Sequence, residues 1–239
     1  MSDLTLIVPA RDEALALPTL LAEIDATMAD HPGALEILVV DDGSGDDTPG
    51  VLHRLQSHHG NLVVLRHSRV LGKSAALLSG ARAARHPLLV TLDGDGQNDP
   101  ADIPRLLAAL TADTALVAGV RARRRNTVAR RLASRGANTL RRWLLGDDCP
   151  DSACGLKLIR RSALLALPRF QGMHRFLPAL CRQQGLAVRY LPVNDRPRRS
   201  GRSKYGLLDR TVVGAVDLLG VCWLRLRALP SDPRGQTRP

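Results

Sequence analysis

Leu88-Leu89-Val90-Thr91-Leu92-Asp93-Gly94-Asp95-Gly96-Gln97 carries the decisive reading of this 239-residue chain. An apolar run of strand length, Leu88 to Leu92, stops at two carboxylates on alternate residues, each followed by a glycine that lets a ligand approach the backbone. Such a turn can hold a hard divalent cation through oxygen ligands and leave positions open for substrate phosphates. An ordinary Asp/Gly turn without a ligand has the same pattern. An EF-hand is excluded, because the twelfth position counted from Asp93 is Pro104 where that loop carries a bidentate Glu.

The same punctuation recurs upstream. Leu4 to Val8 is a short apolar run that ends at Pro9-Ala10-Arg11-Asp12-Glu13, and Glu36 to Val40 ends at Asp41-Asp42-Gly43-Ser44. Between them, Leu17, Leu20, Leu21, Ile24 and Met28 recur at helical spacing. Thr48 to Leu55 reads as a helix capped by a short polar residue, Leu62 to Leu65 as a strand, and Lys73 to Ala84 as a helix. Ala115 to Arg121 is a further strand. Strands alternating with helices imply an α/β fold with a mostly parallel central sheet and helices on both faces. Ligands of such sheets sit beyond the carboxyl ends of the strands, so three acidic loops, Pro9 to Glu13, Asp41 to Ser44 and Asp93 to Gln97, are expected on one rim. After Arg121 come an Arg-rich helical stretch, a loop from Gly146 to Gly155, a helix-like segment from Phe176 to Gln184 and a late strand from Val188 to Val193.

Composition narrows the class. With 44% hydrophobic and 24% charged residues, the chain can bury an ample core, which excludes disordered, collagen-like and disulfide-scaffold proteins. Cys149, Cys154, Cys181 and Cys222 form no CxxC pair, so a reducing cytoplasm fits better than a disulfide framework or a zinc ribbon. The first apolar run is too short and too acidic for a signal peptide. The net charge of +11 rests on 31 arginines and 3 lysines; nine arginines and no acid lie between Arg121 and Arg142, and a second cluster spans Arg196 to Lys204. Solvated faces carry such runs, but this concentration suits a phosphate-bearing partner. Nucleic acid is the distant alternative, because two Phe, two Tyr and two Trp are too few for a base-stacking platform.

Three familiar motifs are absent. Leu71-Gly72-Lys73-Ser74 ends like a P-loop, yet the first glycine of that motif would fall at His67. No G-x-G-x-x-G and no G-x-S-x-G occurs, which removes the fingerprints of a dinucleotide fold and of a seryl hydrolase.

Val8 to Glu13, Asp41 to Ser44 with Asp46 and Thr48, Gly72-Lys73, Asp93 to Gln97, Gly119-Val120-Arg121 and Arg198 to Gly206 stand in an order that resembles the inverting family 2 glycosyltransferases. The resemblance is to their dolichol-phosphate mannosyltransferase-like branch, which glycosylates polyprenyl phosphates, and it covers about residues 4 to 220. It implies a GT-A type fold and a divalent cation, Mg or Mn, as cofactor. It further implies that Pro9, Arg11, Glu13, Asp42 and Asp93 contact the donor nucleotide, and that Asp93 and Asp95 with Gln97 hold the metal and diphosphate. Arg121, Arg130, Ser134, Arg202 and Lys204 are implied to hold the acceptor phosphate, with Asp93, Asp95 and Arg121 as the catalytic set. Arg121, among so many arginines, could instead face water. The sequence departs from the pattern at Asp195, where relatives often carry His.

The function so implied is transfer of a sugar from a nucleotide-diphospho-sugar, GDP-mannose-like by preference, to a polyprenyl monophosphate. The alternative is a transferase of the same fold acting on a sugar hydroxyl, which needs a base; Asp151 is the nearest candidate. Residues 1–206 are expected to form the catalytic domain, 207–228 an amphipathic helix and 229–239 a disordered tail. Leu208, Val212, Ala215, Leu219, Trp223 and Leu226 recur at helical spacing, but Asp209, Asp217 and Arg225 interrupt the run, so the helix is too polar to span a bilayer. It either lies on the cytoplasmic membrane surface or packs on the catalytic domain.

Overall fold

The computed structural model describes residues 3–121, 141–197 and 207–227. Seven strands form one sheet: β1 (Leu4–Ala10), β2 (Leu35–Asp41), β3 (Leu62–Arg66), β4 (Leu88–Thr91), β5 (Thr114–Arg121), β6 (Lys157–Arg160) and β7 (Ala187–Val193), in the order β3-β2-β1-β4-β6-β5-β7. The main helices are α1 (Leu17–Met28), α2 (Thr48–Gln56), α3 (Lys73–Ala83), α4 (Ile103–Ala108), α5 (Arg161–Ala166), α6 (Leu177–Gln183) and α7 (Leu207–Arg227). All strand pairings are parallel except those of β6, which runs antiparallel to both β4 and β5. The mostly parallel α/β sheet expected from the alternation is therefore the architecture observed.

The strands are continuous apolar runs because both faces of the sheet are covered. Along β1, Leu4, Leu6 and Val8 pack toward α1 and α4, while Ile7 turns to the opposite layer with α3, α5 and α6. In α1 the stripe read from the sequence, Leu17, Leu20, Leu21, Ile24 and Met28, is the buried face. Just before α2, Asp46 accepts the Thr48 amide at 3.0 Å, while the N-cap residue itself, Asp47, makes no side-chain capping bond.

Three elements escaped the sequence reading, α4, β6 and α5. The Lys157-Leu158-Ile159-Arg160 strand carries charges at both ends, so it shows only two apolar residues. It wedges between β4 and β5, pairing Thr91 with Lys157. A strand that runs backwards begins where its parallel neighbours end, and Lys157 therefore enters the functional rim.

Helix α7 joins the core through Val221, with Leu218 and Cys222 packed beside it, and Arg225 donates to the Leu144 carbonyl at 2.9 Å. Its other face is apolar and exposed: Val213, Val216, Leu219, Trp223 and Leu226. No helix among the described residues is long and apolar enough to cross a membrane. The expected Arg-rich helix beyond Arg121 and the expected tail at 229–239 lie outside the described residues, apart from the stretch resumed at Arg141.

Candidate active site

The three acidic loops meet on one rim. The Asp12 amide donates to Ser44 Oγ at 2.9 Å, the Gly45 amide to Asp12 Oδ1 at 2.7 Å, and the Glu13 amide to Thr48 Oγ1 at 2.9 Å. These bonds hold Asp12 at φ 51°, a backbone state that costs a non-glycine residue about 1–3 kcal/mol. Arg11 stays 40% exposed on that rim, whereas Glu13 is buried. Pro9 contributes its carbonyl, which takes the Gly94 amide at 3.4 Å and so ties the first loop to the Asp93–Gln97 turn.

Asp42 fastens a fourth loop to this rim. Its Oδ1 accepts the Leu71 amide at 2.8 Å and lies 2.8 Å from His67 Nδ1, and its Oδ2 accepts the Gly72 amide at 2.8 Å. The buried carboxylate thereby sets the path into α3. Gly43 is required beside it, because its φ is 67° and a Cβ there would stand 2.7 Å from the Arg69 carbonyl carbon.

At the end of β4, Asp93 is half-buried and Asp95 is buried, its Oδ1 accepting the Gln97 amide at 3.1 Å. The Lys73 ammonium, on the first residue of α3, sits directly on Asp93 Oδ1. Burial alone would raise the Asp93 carboxyl, but Lys73, Lys157 and Arg121 together hold it below the usual carboxylate range. Gly155 makes this closeness possible, since any Cβ there would collide with the Asp93 carboxylate. Behind the pair lies a pocket lined by Lys73, Lys157, His174, Thr91 and Gly155. Lys157 is buried and donates to the Cys154 carbonyl; burial, reinforced by Lys73, lowers its pKa. Burial and then the charges of Lys73, Lys157 and Arg175 push His174 well below the usual imidazole value, so it is neutral at pH 7, with Nδ1 2.8 Å from Ser74 Oγ.

Across the turn, Arg121 meets Asp151 with two side-chain bonds, Nε to Oδ2 at 2.7 Å and Nη2 to Oδ1 at 2.9 Å. The guanidinium is only 20% exposed, which corrects the reading that it simply faces water. Burial opposes its charge, but Asp151 more than offsets this and raises its pKa. The loop that presents Asp151 is itself anchored by a buried pair, Arg141 Nη1 to Asp147 Oδ2 at 2.7 Å, with Arg141 Nη2 on the Cys149 carbonyl at 2.6 Å. From the far side, Arg196 bridges Asp99 at 2.5 Å and Glu23 at 2.8 Å, and its amide donates to the Gln97 carbonyl at 3.0 Å. Asp195 pairs with Asn98 in an isolated bridge, and its charge helps raise the Arg121 pKa. This strap brings the chain over the acidic turn immediately before the basic segment at 198–206.

Of the residues expected from the sequence, the structure thus gathers Pro9, Arg11, Glu13, Asp42, Asp93, Asp95, Gln97 and Arg121 on one rim. Arg130, Ser134, Arg202 and Lys204 lie outside the described residues. Lys157, Arg141 and Asp147 received no role from the sequence; Lys73 and Ser74 appeared only as parts of a motif, and His174 only within His174-Arg175-Phe176, which resembles the same family branch. One signal was available: of 34 basic residues only Lys73, Lys157 and Lys204 are lysines. The first two are neighbours in space. A flexible point charge and a planar fork are not interchangeable, so rare lysines in an arginine-rich chain mark positions that call for the former.

The donor set suits a hard divalent cation. Asp93 and Asp95 offer carboxylate oxygens two residues apart, and Gln97 can add an amide oxygen. Among the described residues no three His, Cys, Asp or Glu side chains converge to enclose a metal, so a cation there would share its coordination with substrate phosphates and water.

Residues 5–167 match the model of the family described as glycosyl transferase family 2. Dodecaprenyl-phosphate galacturonate synthase of Rhizobium johnstonii is 33% identical over 234 residues, covering 95% of this chain and 69% of that protein. Undecaprenyl-phosphate 4-deoxy-4-formamido-L-arabinose transferase of Sodalis glossinidius is 33% identical over 205 residues, covering 85% of this chain and 63% of that one. Among solved structures, glucosyl-3-phosphoglycerate synthase of Mycobacterium tuberculosis with Mn2+, UDP-glucose and phosphoglyceric acid superposes with a TM-score of 0.67 at 20% identity, covering 94% of this chain and 79% of that one. The chain spans about two thirds of the length of these two curated relatives. It belongs to glycosyl transferase family 2, has the GT-A fold, and is similar in sequence to the polyprenyl-phosphate sugar transferases of that family.

Proposed function

We propose that this protein transfers a sugar, with inversion at the anomeric carbon, from a nucleotide-diphospho-sugar to a polyprenyl monophosphate. The observation that carries the reading is the rim itself, where the acidic pair Asp93 and Asp95 stands beside the cations Lys73, Lys157 and Arg121. Acids two residues apart suit a metal-bound diphosphate, and cations beside them suit the oxygens of a second phosphate. Held at Asp93 and Asp95, with Gln97 alongside, Mg2+ or Mn2+ supplies neutralisation of the charge that builds on the leaving nucleoside diphosphate.

The acceptor needs no base. A phosphate monoester has a second pKa of about 6, so at pH 7 it is already a dianionic nucleophile. A sugar hydroxyl would need one, and the candidate, Asp151, has both carboxylate oxygens bonded to Arg121. This favours the phosphate acceptor. The basic residues Arg130, Arg202 and Lys204, with Ser134, complete the proposed acceptor site.

The preference for a GDP-mannose-like donor gains no support from the relatives, which are named for galacturonate and formamido-arabinose transfer. We place UDP-sugars first, in keeping with the UDP-glucose bound by the mycobacterial neighbour. The acceptor lies in a bilayer, and the exposed apolar face of α7 suits a peripheral position at the cytoplasmic membrane surface.

The test is a donor panel. Labelled UDP-hexoses, UDP-hexuronates, UDP-pentoses and GDP-mannose are incubated with the full chain, Mn2+ and either undecaprenyl phosphate or a soluble glycoside. Metal-dependent label in the organic phase is expected from a UDP-sugar. Label on the soluble glycoside alone would replace the reading with hydroxyl transfer.

A further inference from the structure

We propose that Lys73 is a placeholder cation: its ammonium occupies Asp93 until a divalent ion takes that oxygen, which ties the binding of the ion to the arrival of the nucleoside diphosphate. This rests on the reading above, in which Asp93 and Asp95 hold the metal.

Lys73 Nζ is in direct contact with Asp93 Oδ1, and the two side chains are 32% and 29% exposed. An ammonium and a divalent ion compete for one carboxylate oxygen, because their charges repel at contact distance in a partly desolvated site. For the ion to bind, the ammonium leaves. Its routes are limited by its neighbours. Inward, the pocket already contains the buried Lys157, with neutral His174 beside it, and is lined by the buried Leu77 and Leu177. A second ammonium moving that way meets like charge and apolar wall. Sideways, Arg121 has taken Asp151. Outward lies the open rim, where a diphosphate bound at the metal would present oxygens.

The residue type fits the task. Lysine is a compact charge on a four-carbon stem that can swing between partners, whereas an arginine fork would grip the carboxylate bidentately. This position keeps lysine in a chain with 31 arginines and 3 lysines. Placement at the first turn of α3, after Gly72, lets the side chain move without moving the helix. The consequence is reciprocal coupling: diphosphate that receives the displaced ammonium tightens the metal, and metal tightens the diphosphate.

The experiment measures free Mn2+ by EPR during titration of the full chain, first without nucleotide and then with UDP, with GDP in parallel. Lys73→Gln is expected to bind Mn2+ alone about tenfold or more tightly than wild type, and Lys73→Arg no more tightly than wild type. Wild type is expected to gain about tenfold in Mn2+ affinity when the nucleoside diphosphate is added, and Lys73→Gln to gain less. Circular dichroism confirms that the variants fold. Equal Mn2+-alone affinity in wild type and Lys73→Gln overturns the placeholder role while leaving the transferase reading intact. Adding Asp95→Asn to Lys73→Gln is expected to abolish Mn2+ binding. If binding survives that change, or if no variant binds Mn2+ with or without nucleotide, the metal assignment falls and the placeholder with it.

Discussion

Arg121 and Asp151 share two bonds of 2.7 and 2.9 Å, and the Arg121 amide adds a third contact to the same carboxylate at 3.3 Å. Strand β5 and the Gly146–Gly155 loop are thereby joined at the point where the acceptor phosphate is proposed to sit. With 5% of its side chain exposed, Asp151 has little water to replace its partner. Arg121→Ala is therefore expected to cost about 3 kcal/mol of stability, because it strands a buried carboxylate. The double variant Arg121→Met/Asp151→Leu should recover most of that loss, while transfer stays about 100-fold down. Denaturant unfolding and transfer rates on both proteins decide the matter. A double variant that regains stability and transfer alike would make the pair purely structural.

Asp95 is 5% exposed and accepts the Gln97 amide. Asp95→Asn keeps an oxygen for that bond and removes only the charge. The fold is expected to persist, with transfer reduced about 100-fold or more, equivalent to about 2.7 kcal/mol of transition-state stabilisation. Raising Mn2+ should not restore the rate. A melting temperature unchanged alongside a wild-type rate and metal titration would remove Asp95 from the catalytic set.

His174 gives a pH signature. In the unfolded chain an ordinary histidine takes up a proton as pH falls through about 6.5. Folded His174 resists, being buried and then repelled by Lys73, Lys157 and Arg175. The unfolded state then binds more protons, so this residue leaves stability intact above pH 6.5 and erodes it below, by at most about 1.4 kcal/mol per pH unit. His174→Gln can keep a bond to Ser74 and has no proton to gain. Its unfolding free energy should fall less steeply than that of wild type between about pH 6.5 and 5. Parallel slopes would show that His174 titrates normally.

The legible part of this fold is the part built from local signals. Apolar runs that stop at Asp or Pro placed β1, β2 and β4, and the 3.6-residue stripe of α1 announced its buried face. Once the alternation implied parallel strands, Pro9, Asp42 and Asp93 had to share a rim. What stayed hidden depends on contacts distant in sequence. Lys157 enters the site only because β6 runs backwards between β4 and β5, and four residues with charged ends carry no readable period. Likewise, the Lys73 contact spans 20 residues to Asp93 and the Ser74 contact spans 100 to His174, so no spacing rule could link them. Arg121 was found by its motif, but its partnership with Asp151, 30 residues on, was not.

The apolar stripe of α7 was read as either membrane-facing or core-facing; its described members Ala215, Leu219, Trp223 and Leu226 face outward, and the contact with the protein is made by residues off that stripe. Leu218, Val221 and Cys222 turn to the protein, while Val216, Leu219, Trp223 and Leu226 turn outward at 64%, 65%, 60% and 84% exposure. Trp143, 78% exposed, precedes the Leu144 carbonyl that Arg225 grips, so a second tryptophan stands near this end of the helix. Arg142 and Arg227 add exposed cations. An apolar ridge with tryptophan and flanking arginines is the composition of a helix lying at the headgroup level of an anionic membrane. Cutting the chain after Gly206 would also strip Val221 from the core, so the sharper test changes only the outer face. Leu219→Ser/Trp223→Ser/Leu226→Ser should leave the melting temperature within a few degrees of wild type, because exposed sites contribute little to stability. Wild type is expected to co-float with vesicles containing anionic lipid at low salt and to be released in part by 0.5 M salt, roughly the range in which surface charges are screened. The triple variant should remain at the bottom of the gradient. Wild-type protein that also stays at the bottom at low salt would refute the membrane role of this face, and a concentration-dependent dimer lost in the triple variant would assign it to a second copy of the chain.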